Sequence, residues 1–397
     1  MFKPSLKNTN QGYISSLESL SRTLSIPIDK LIEISNIPVD DKYLLKEIPK
    51  ADGSTRHVYK LHPDLRLLQS RINSRIFREL IVWPDFLFGS IPNDNDPSSE
   101  DVKRDYISCA GLHCQAKTIL KVDIKDFFDN IHEDLVKDIF SNVLNIKDKS
   151  LEYLTQACCR NGFIVQGALT SSYIASLCLF DMEGKIVSRA RKKNLVYTRL
   201  VDDITVSSKI SNYDFSQIRQ HIESMLAEKD LPINNKKTKV FYSSTQPLYV
   251  HGLIVDYSKP RLPSDEVRKI RASLNNISKL AVKNNSRTSV AYRKEYNRCF
   301  GKIGKLKRVG HNKYEVFLGK IKKIKPMPSL RDVKMAKATV KSLEVSHAKG
   351  NNNKYWFKRK YDLARYKIVI LNRTKEFELL VAELRERMKN VKPNFER

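Results

Sequence analysis

The sequence predicts an α+β fold: an antiparallel sheet with helices on one face, followed by a basic, helical part. Three observations carry this. Residues 118–255 alternate in the order β, α, β, β, α, β, β once a short helix after Asp123 is set aside as an insertion. Beyond Pro260 the apolar residues recur instead by threes and fours. Charge divides at nearly the same place. Of 72 Lys+Arg and 44 Asp+Glu in 397 residues, 38 basic and 13 acidic residues fall in 256–397, a net of +25, leaving +3 for 1–255. A nearly balanced part joined to a strongly basic one points to a polyanion held by one and worked on by the other. An inert basic protein needs no such segregation.

In chain order, the first 45 residues are expected to be largely helical, with Leu17, Leu20 and Leu24, then Leu31, Ile32 and Ile34, near helical spacing. Between two extended runs over Ile48–Tyr59, Asp52-Gly53 predicts a hairpin. It is flanked by Lys50 and Arg56, two cations suited to a triphosphate. Pro63–Arg78 reads as a helix with Leu65, Leu68, Ile72 and Ile76 on one face, and Ile91–Asp105 as a polar surface loop. Thr118–Ile124 is a strand that puts Leu120, Val122 and Ile124 on one face and Lys121 and Asp123 on the other. A helix from His132 to Phe140 follows. Asn161–Ser172 is a turn leading into a helix from about Thr170 to Arg191. Within that turn Gly167 permits close backbone approach, and Gln166 offers an amide to a sugar or base.

The centre of the pattern is Arg199–Ser207. Two β-branched runs, Leu195–Val201 and Ile204–Val206, favour strand, and Asp202-Asp203 between them suits a tight hairpin turn. Two acids pushed out of the end of a sheet are costly unless a cation meets them. A helix over Tyr213–Glu228 and strands after Pro232 and over Leu248–Val255 complete this part.

In the basic third, Ser264 caps a helix carrying Val267, Ile270, Leu274, Ile277 and Leu280, and Lys302–Lys325 forms a second helical stretch. Tyr355, Trp356, Phe357 and Tyr361 interleave with Lys358, Arg359 and Lys360, a pattern suited to base stacking and phosphate binding together. Phe377, Leu380, Val381, Leu384 and Met388 mark a last amphipathic helix. The six cysteines show neither a C-x-x-C pair nor a zinc spacing and are expected as free thiols. With no apolar signal core and no apolar run of ~18–20 residues, the expectation is a soluble cytoplasmic protein.

Seven of these pieces, in order and spacing over roughly residues 20–325, resemble the bacterial retron-type reverse transcriptases, including the anti-phage defence enzymes related to them. Lys50–Tyr59 is similar to the fingers hairpin and Asp123–Phe128 to the first catalytic motif. Gln166-Gly167 resembles the nucleotide-pocket motif, Leu200–Asp203 the paired-Asp box and Asn235–Thr238 the lysine motif. Cys109–His113 resembles an Asn-Ala-x-x-His element, and Val250–Gly252 a Val-Thr-Gly element. Four positions depart from the family pattern: Leu200 stands for Tyr, Val165 for Pro, Cys109 for Asn and His251 for Thr.

The resemblance implies a right-hand polymerase. Its parts would be an N-terminal helical region (1–45), fingers (46–120), a palm (121–255, with a fingers insertion at about 132–165), a helical basic thumb (256–325) and a basic C-terminal extension (326–397). It implies RNA-directed DNA synthesis with two Mg²⁺ ions, Mn²⁺ being an alternative. Asp123, Asp202 and Asp203 would be the metal ligands, with the Ile124 carbonyl as an extra. Lys50 and Arg56 would meet the triphosphate, Gln166 and Gly167 the nucleotide, and Phe128 the ribose 2′ position. Lys237 would protonate the leaving pyrophosphate. Nucleic-acid contacts are expected at His113, Arg268, Lys302, Lys305, Lys307, Arg308, Lys358 and Arg359. The partners implied are a non-coding RNA template, the RNA/DNA duplex made on it, and an effector protein or second subunit. RNA-primed synthesis in anti-phage defence is the leading reading. A defence enzyme with other priming or a repetitive product, and a silent RNA-binding scaffold, stand as alternatives. A two-metal nuclease would use the paired acids without needing the Gln-Gly pocket or the aromatic gate.

Overall fold

The computed structural model describes residues 4–7, 14–49, 53, 55–93 and 103–394. The chain divides into two compact units, residues 1–261 and 262–397. In the first, the strands in chain order are β1 (Ser5–Leu6), β2 (Tyr43–Pro49), β3 (Thr55–Leu61), β4 (Ile81–Val82), β5 (Leu87–Phe88), β6 (Thr118–Asp123), β7 (Val196–Leu200), β8 (Asp203–Ser208), β9 (Lys239–Tyr242), β10 (Tyr249–Val250) and β11 (Leu253–Ile254). Five of them form the main sheet in the order β5-β7-β8-β6-β9. Leu120, Val122 and Ile124 are buried while Lys121 and Asp123 are half-buried, in line with the two faces read for β6; β8 is buried on both faces from Ile204 to Ser208.

Three expectations about this unit need correction. The sheet is not purely antiparallel: β5 joins its edge parallel to β7, with Leu87 opposite Arg199 and Phe88 opposite Leu200. Leu248–Val255 does not extend the sheet. It folds into the separate β10–β11 ladder, because His251 (φ 48°) and Gly252 (φ 79°) both take the positive φ of a two-residue hairpin turn. The helix expected from Thr170 to Arg191 is broken into Ser171–Leu177 and Glu183–Lys192. The carbonyls of Ala175 and Ser176, which would continue the ladder, are taken by the buried Arg199 guanidinium at 3.0 and 2.8 Å.

The N-terminal region is helical over Leu17–Leu24, Ile28–Asn36 and Val39–Lys42, and β2 starts directly after it. The β2–β3 hairpin is longer than expected, pairing Tyr43 with Leu61 through Pro49 with Thr55. Of the polar loop expected over 91–105, residues 94–102 lie outside the described residues.

The second unit is helical: Ser264–Val282, Val290–Arg308, Tyr314–Lys323, Leu330–Ala348, Tyr355–Leu371 and Glu378–Lys389 are its main helices. Ser264 begins the first helix but does not cap it; Pro263 holds the cap position. The second basic stretch is two helices, parted at Val309–Lys313 where Gly310 has φ 63°. Residues on both sides of position 325 are tied together. Arg293 holds Asp332 through two 2.7 Å bonds, and Met327 N–H donates to the Arg287 carbonyl at 2.9 Å. All six cysteines are free, and among the described residues no helix is long and apolar enough to cross a membrane.

Candidate active site

The carboxylates converge by strand register. Asp123, the last residue of β6, lies directly opposite Asp203, the first of β8. Leu200 pairs with Asp203 across β7–β8, so the turn consists of Val201 and Asp202. Asp202 alone is therefore in the turn, and Asp203 is already on the strand, where a turn had been expected to hold both. The strand ends are bonded together: Ile124 N–H donates to the Asp202 carbonyl at 3.1 Å, and Asn234 N–H to the Asp123 carbonyl at 2.8 Å.

The turn is strained. Val201 has φ 61°, a left-handed conformation that a β-branched residue rarely adopts. Its carbonyl accepts a bond from Arg199 at 3.2 Å, and its side chain packs where Gly89 leaves room. A Cβ at Gly89 would lie 3.0 Å from Val201 Cγ2. Arg199 is fully buried and makes a two-pronged ion pair with Glu183 at 2.6 and 2.7 Å. With the carbonyls of Ala175, Ser176 and Val201, that engages all five guanidinium N–H groups. Tyr197 O–H also donates to Glu183, at 2.8 Å.

The three acids have different surroundings. Asp123 is paired with the Lys237 ammonium at 3.2 Å. Asp203 lies 3.4 Å from His251 Nδ1. Burial would raise the Asp203 carboxyl, but the hydrogen bond and charge of His251, with Lys121 and Thr205, hold it below the ordinary range. Asp202 meets no cation within ion-pair distance among the described residues, and burial, then the charges of Asp123 and Asp203, push its carboxyl up. Three acids at a strand end, one of them raised by the other two, with oxygen donors only, suit a hard divalent cation. They are not a ready-made cage: among the described residues no three His, Cys, Asp or Glu stand close enough to hold an ion as they are. The Ile124 carbonyl accepts no hydrogen bond among the described residues and remains open as an oxygen donor.

Phe128 is half-buried on the short helix Phe127–Asn130 and packs on the core. Gln166 is half-buried, and its carbonyl accepts the Tyr59 N–H of β3 at 2.7 Å. Gly167 (φ 100°) makes that approach possible, since a Cβ there would stand 2.4 Å from the Tyr59 carbonyl oxygen. The close approach foreseen at Gly167 is thus to the fingers-like hairpin itself. Arg56 is exposed on β3, while Lys50 lies outside the described residues.

One expected nucleic-acid contact is overturned. His113 is 1 % exposed beneath the sheet, with Nδ1 2.7 Å from Ser207 Oγ and Nε2 2.8 Å from Thr198 Oγ1. Burial pushes its pKa down to about 3, so it is a neutral core histidine. In the second unit Arg268, Lys307, Arg308 and Arg359 are exposed, and Lys302, Lys305 and Lys358 half-buried. Lys305 is engaged by Glu266 at 3.0 Å. Tyr355 and Trp356 are about half exposed, but Phe357 belongs to the core. Sequence reasoning missed Arg199 and Glu183, the supports of the turn. An arginine inside a β-branched run was the available signal, and nothing in the spacing named its partner.

The chain matches the family described as reverse transcriptase (RNA-dependent DNA polymerase) over residues 48–287. It is 61% identical to the retron Ec48 reverse transcriptase of Escherichia coli, over 99% of this chain and 96% of that one. The retron Se72 reverse transcriptase of Salmonella heidelberg (strain 579083-10) is 31% identical over 78% and 79% of the two chains. The retron Ec86 reverse transcriptase of Escherichia coli is 25% identical over 68% and 81%.

Proposed function

The chain belongs to the retron-type reverse transcriptases, and on that premise we propose that it copies a dedicated non-coding RNA into DNA at Asp123, Asp202 and Asp203. It is an RNA-directed DNA polymerase. What carries the assignment of the site is the register that sets Asp123 against Asp203, with Asp202 beside them and no cation within ion-pair distance of it among the described residues.

Asp123 and Asp202 would hold two Mg²⁺ ions, or Mn²⁺ in their place, with Asp203 and the Ile124 carbonyl completing the donors. Bound there, such ions activate the primer hydroxyl and neutralise charge on the triphosphate. The remaining work falls to side chains. Lys50 and Arg56 bind the β- and γ-phosphates, Gln166 and Gly167 border the nucleotide, and Phe128 crowds the ribose 2′ position. Lys237, paired with Asp123, gives a proton to the leaving pyrophosphate. Arg268, Lys302, Lys307, Arg308, Lys358 and Arg359 bind the RNA/DNA duplex through its backbone. RNA-primed synthesis in the cytoplasm, serving anti-phage defence with an effector protein, is the biological setting this reading supports.

The test is to purify the protein with its bound RNA, supply dNTPs and Mg²⁺, and sequence the DNA. Asp202→Asn and Asp203→Asn should each cut synthesis by about 10²- to 10³-fold. Phe128→Ala in the same assay should admit rNTPs. If wild type and both Asn variants are equally inert on every template and primer, the protein is an RNA-binding scaffold instead.

A further inference from the structure

Behind Asp203 runs a line of polar side chains that the reaction as described does not use. His251 Nδ1 is 3.4 Å from Asp203 Oδ2, and its Nε2 is 3.3 Å from Cys109 Sγ. Cys109 Sγ is 3.3 Å from Thr198 Oγ1, which is 2.8 Å from His113 Nε2; His113 Nδ1 is 2.7 Å from Ser207 Oγ. Four elements supply it. Cys109 and His113 come from the helix Tyr106–Leu112 and its C-terminal cap. Thr198 and Ser207 come from β7 and β8, and His251 from the β10–β11 turn. Cys109 and His251 are also two of the four positions that depart from the family pattern. Far apart in the chain, they touch in the fold.

The order Cys, His, Asp is that of a nucleophilic triad, but the thiol is wrong for that role. Cys109 is 0 % exposed, and burial pushes its pKa up to about 12, so no substrate reaches it and no thiolate forms. The functional end is the other one. An ionised carboxylate only accepts hydrogen bonds, so His251 turns Nδ1–H to Asp203, while Ser207, Thr198 and Cys109 can each give or take a proton, and the line can run in one direction throughout. In that direction Ser207 O–H would donate to His113 Nδ1, His113 Nε2–H to Thr198, Thr198 O–H to Cys109 Sγ, Cys109 S–H to His251 Nε2, and His251 Nδ1–H to Asp203. Each inner member would then give one proton and take one, from Ser207 at one end to Asp203 at the other.

We propose that Cys109 and His251 are positioning residues for Asp203, a one-way relay that sets how its carboxylate is presented from beneath the sheet. Carboxylates that hold metals are oriented by such hydrogen bonds, and losing one commonly weakens the metal site by about 10- to 100-fold. The inference rests on the reading of Asp203 as an active-site carboxylate.

Two histidine replacements separate the relay from mere packing. His251→Asn keeps a donor near Nδ1 and gives up the Nε2 end; His251→Gln does the reverse. Binding of Mn²⁺ to the RNA-bound protein, read by electron paramagnetic resonance of the free ion, should weaken about 10-fold or more in His251→Gln and under about threefold in His251→Asn. In DNA synthesis the loss should appear as a raised half-saturating Mn²⁺ concentration before any fall in kcat. Cys109→Ala, which like His251→Asn gives up only the Nε2 link, should weaken binding under about threefold alone and add little to His251→Gln, whose relay is already cut. Equal effects of Asn and Gln, or additive losses, would overturn the proposal. Wild-type protein with ¹⁵N-labelled histidine gives a check independent of any variant's folding. His251 should carry its proton on Nδ1 and His113 on Nε2, and the opposite tautomer at either overturns the relay. Asp202→Asn run alongside keeps the two readings apart. If it synthesises DNA normally, the active-site assignment fails; if it is inert while both His251 variants match wild type, only the relay fails.

Discussion

At the scale of single residues, the site depends on a backbone conformation that Val201 does not favour. A non-glycine residue held at φ 61° costs about 1–3 kcal/mol, and the surroundings must hold it there. Arg199 does so from the interior, bonding the Val201 carbonyl while its charge is met by Glu183. A buried ion pair of this kind adds little over an apolar pair of the same shape, but losing one partner is severe, because the other charge stays buried. Arg199→Lys keeps the charge yet lacks the planar fork that reaches Glu183 and three carbonyls together. It should cost about 3–5 kcal/mol of stability, read as a lowered urea midpoint at unchanged slope. A shift within about 1 kcal/mol would mean that the turn is held by something other than Arg199. Glu183→Gln offers the reciprocal check.

At the scale of elements, the β2–β3 hairpin is anchored to the site at one crowded point, where Tyr59 N–H meets the Gln166 carbonyl and Gly167 lies under the Tyr59 carbonyl. A methyl group at position 167 has no place at 2.4 Å from a backbone oxygen, and alanine also resists φ 100°. Gly167→Ala should therefore displace the hairpin, raising KM for dNTPs about tenfold or more while global stability falls by about 1–3 kcal/mol. An unchanged KM would show that the hairpin's position does not govern nucleotide binding. How legible each element was follows from what made it. β6 and most long helices were legible because burial imposes a period of two or about 3.6 on the residues themselves, and β8 because its β-branched residues favour strand. β5 was not, since Leu87-Phe88 is too short for a period and is recruited by parallel pairing to β7. The break between the helices ending at Leu177 and starting at Glu183 was hidden because its cause, Arg199, lies far along the chain. Among site residues, Asp123 and Asp202-Asp203 stood out by placing acids at strand ends. His113 misled because a histidine in a motif reads alike whether it faces solvent or, as here, two hydroxyls under a sheet.

At the scale of the whole molecule, charge is the property the two units divide most unequally. The net of +25 in 256–397 far exceeds what solubility requires, and few of its cations are engaged by acids: Arg293 with Asp332, Lys305 with Glu266 and Arg387 with Glu344 are the partly buried pairs among the described residues. Lys307 and Arg359 remain exposed. Cations that hold phosphates release condensed counterions, so binding should weaken with salt at about 0.7–0.9 log units of affinity per log unit of salt for each phosphate contact. Lys307→Ala/Arg359→Ala should weaken binding to the RNA/DNA duplex on any sequence and flatten that slope by about 1.5. Asp202→Asn should leave the slope nearly unchanged, since it alters the chemistry and not the backbone grip. Filter binding over a salt series separates the two. A wild-type affinity indifferent to salt would deny the basic helices their phosphate role. A steep wild-type slope that the double variant keeps would instead move the grip to other cations of the same unit.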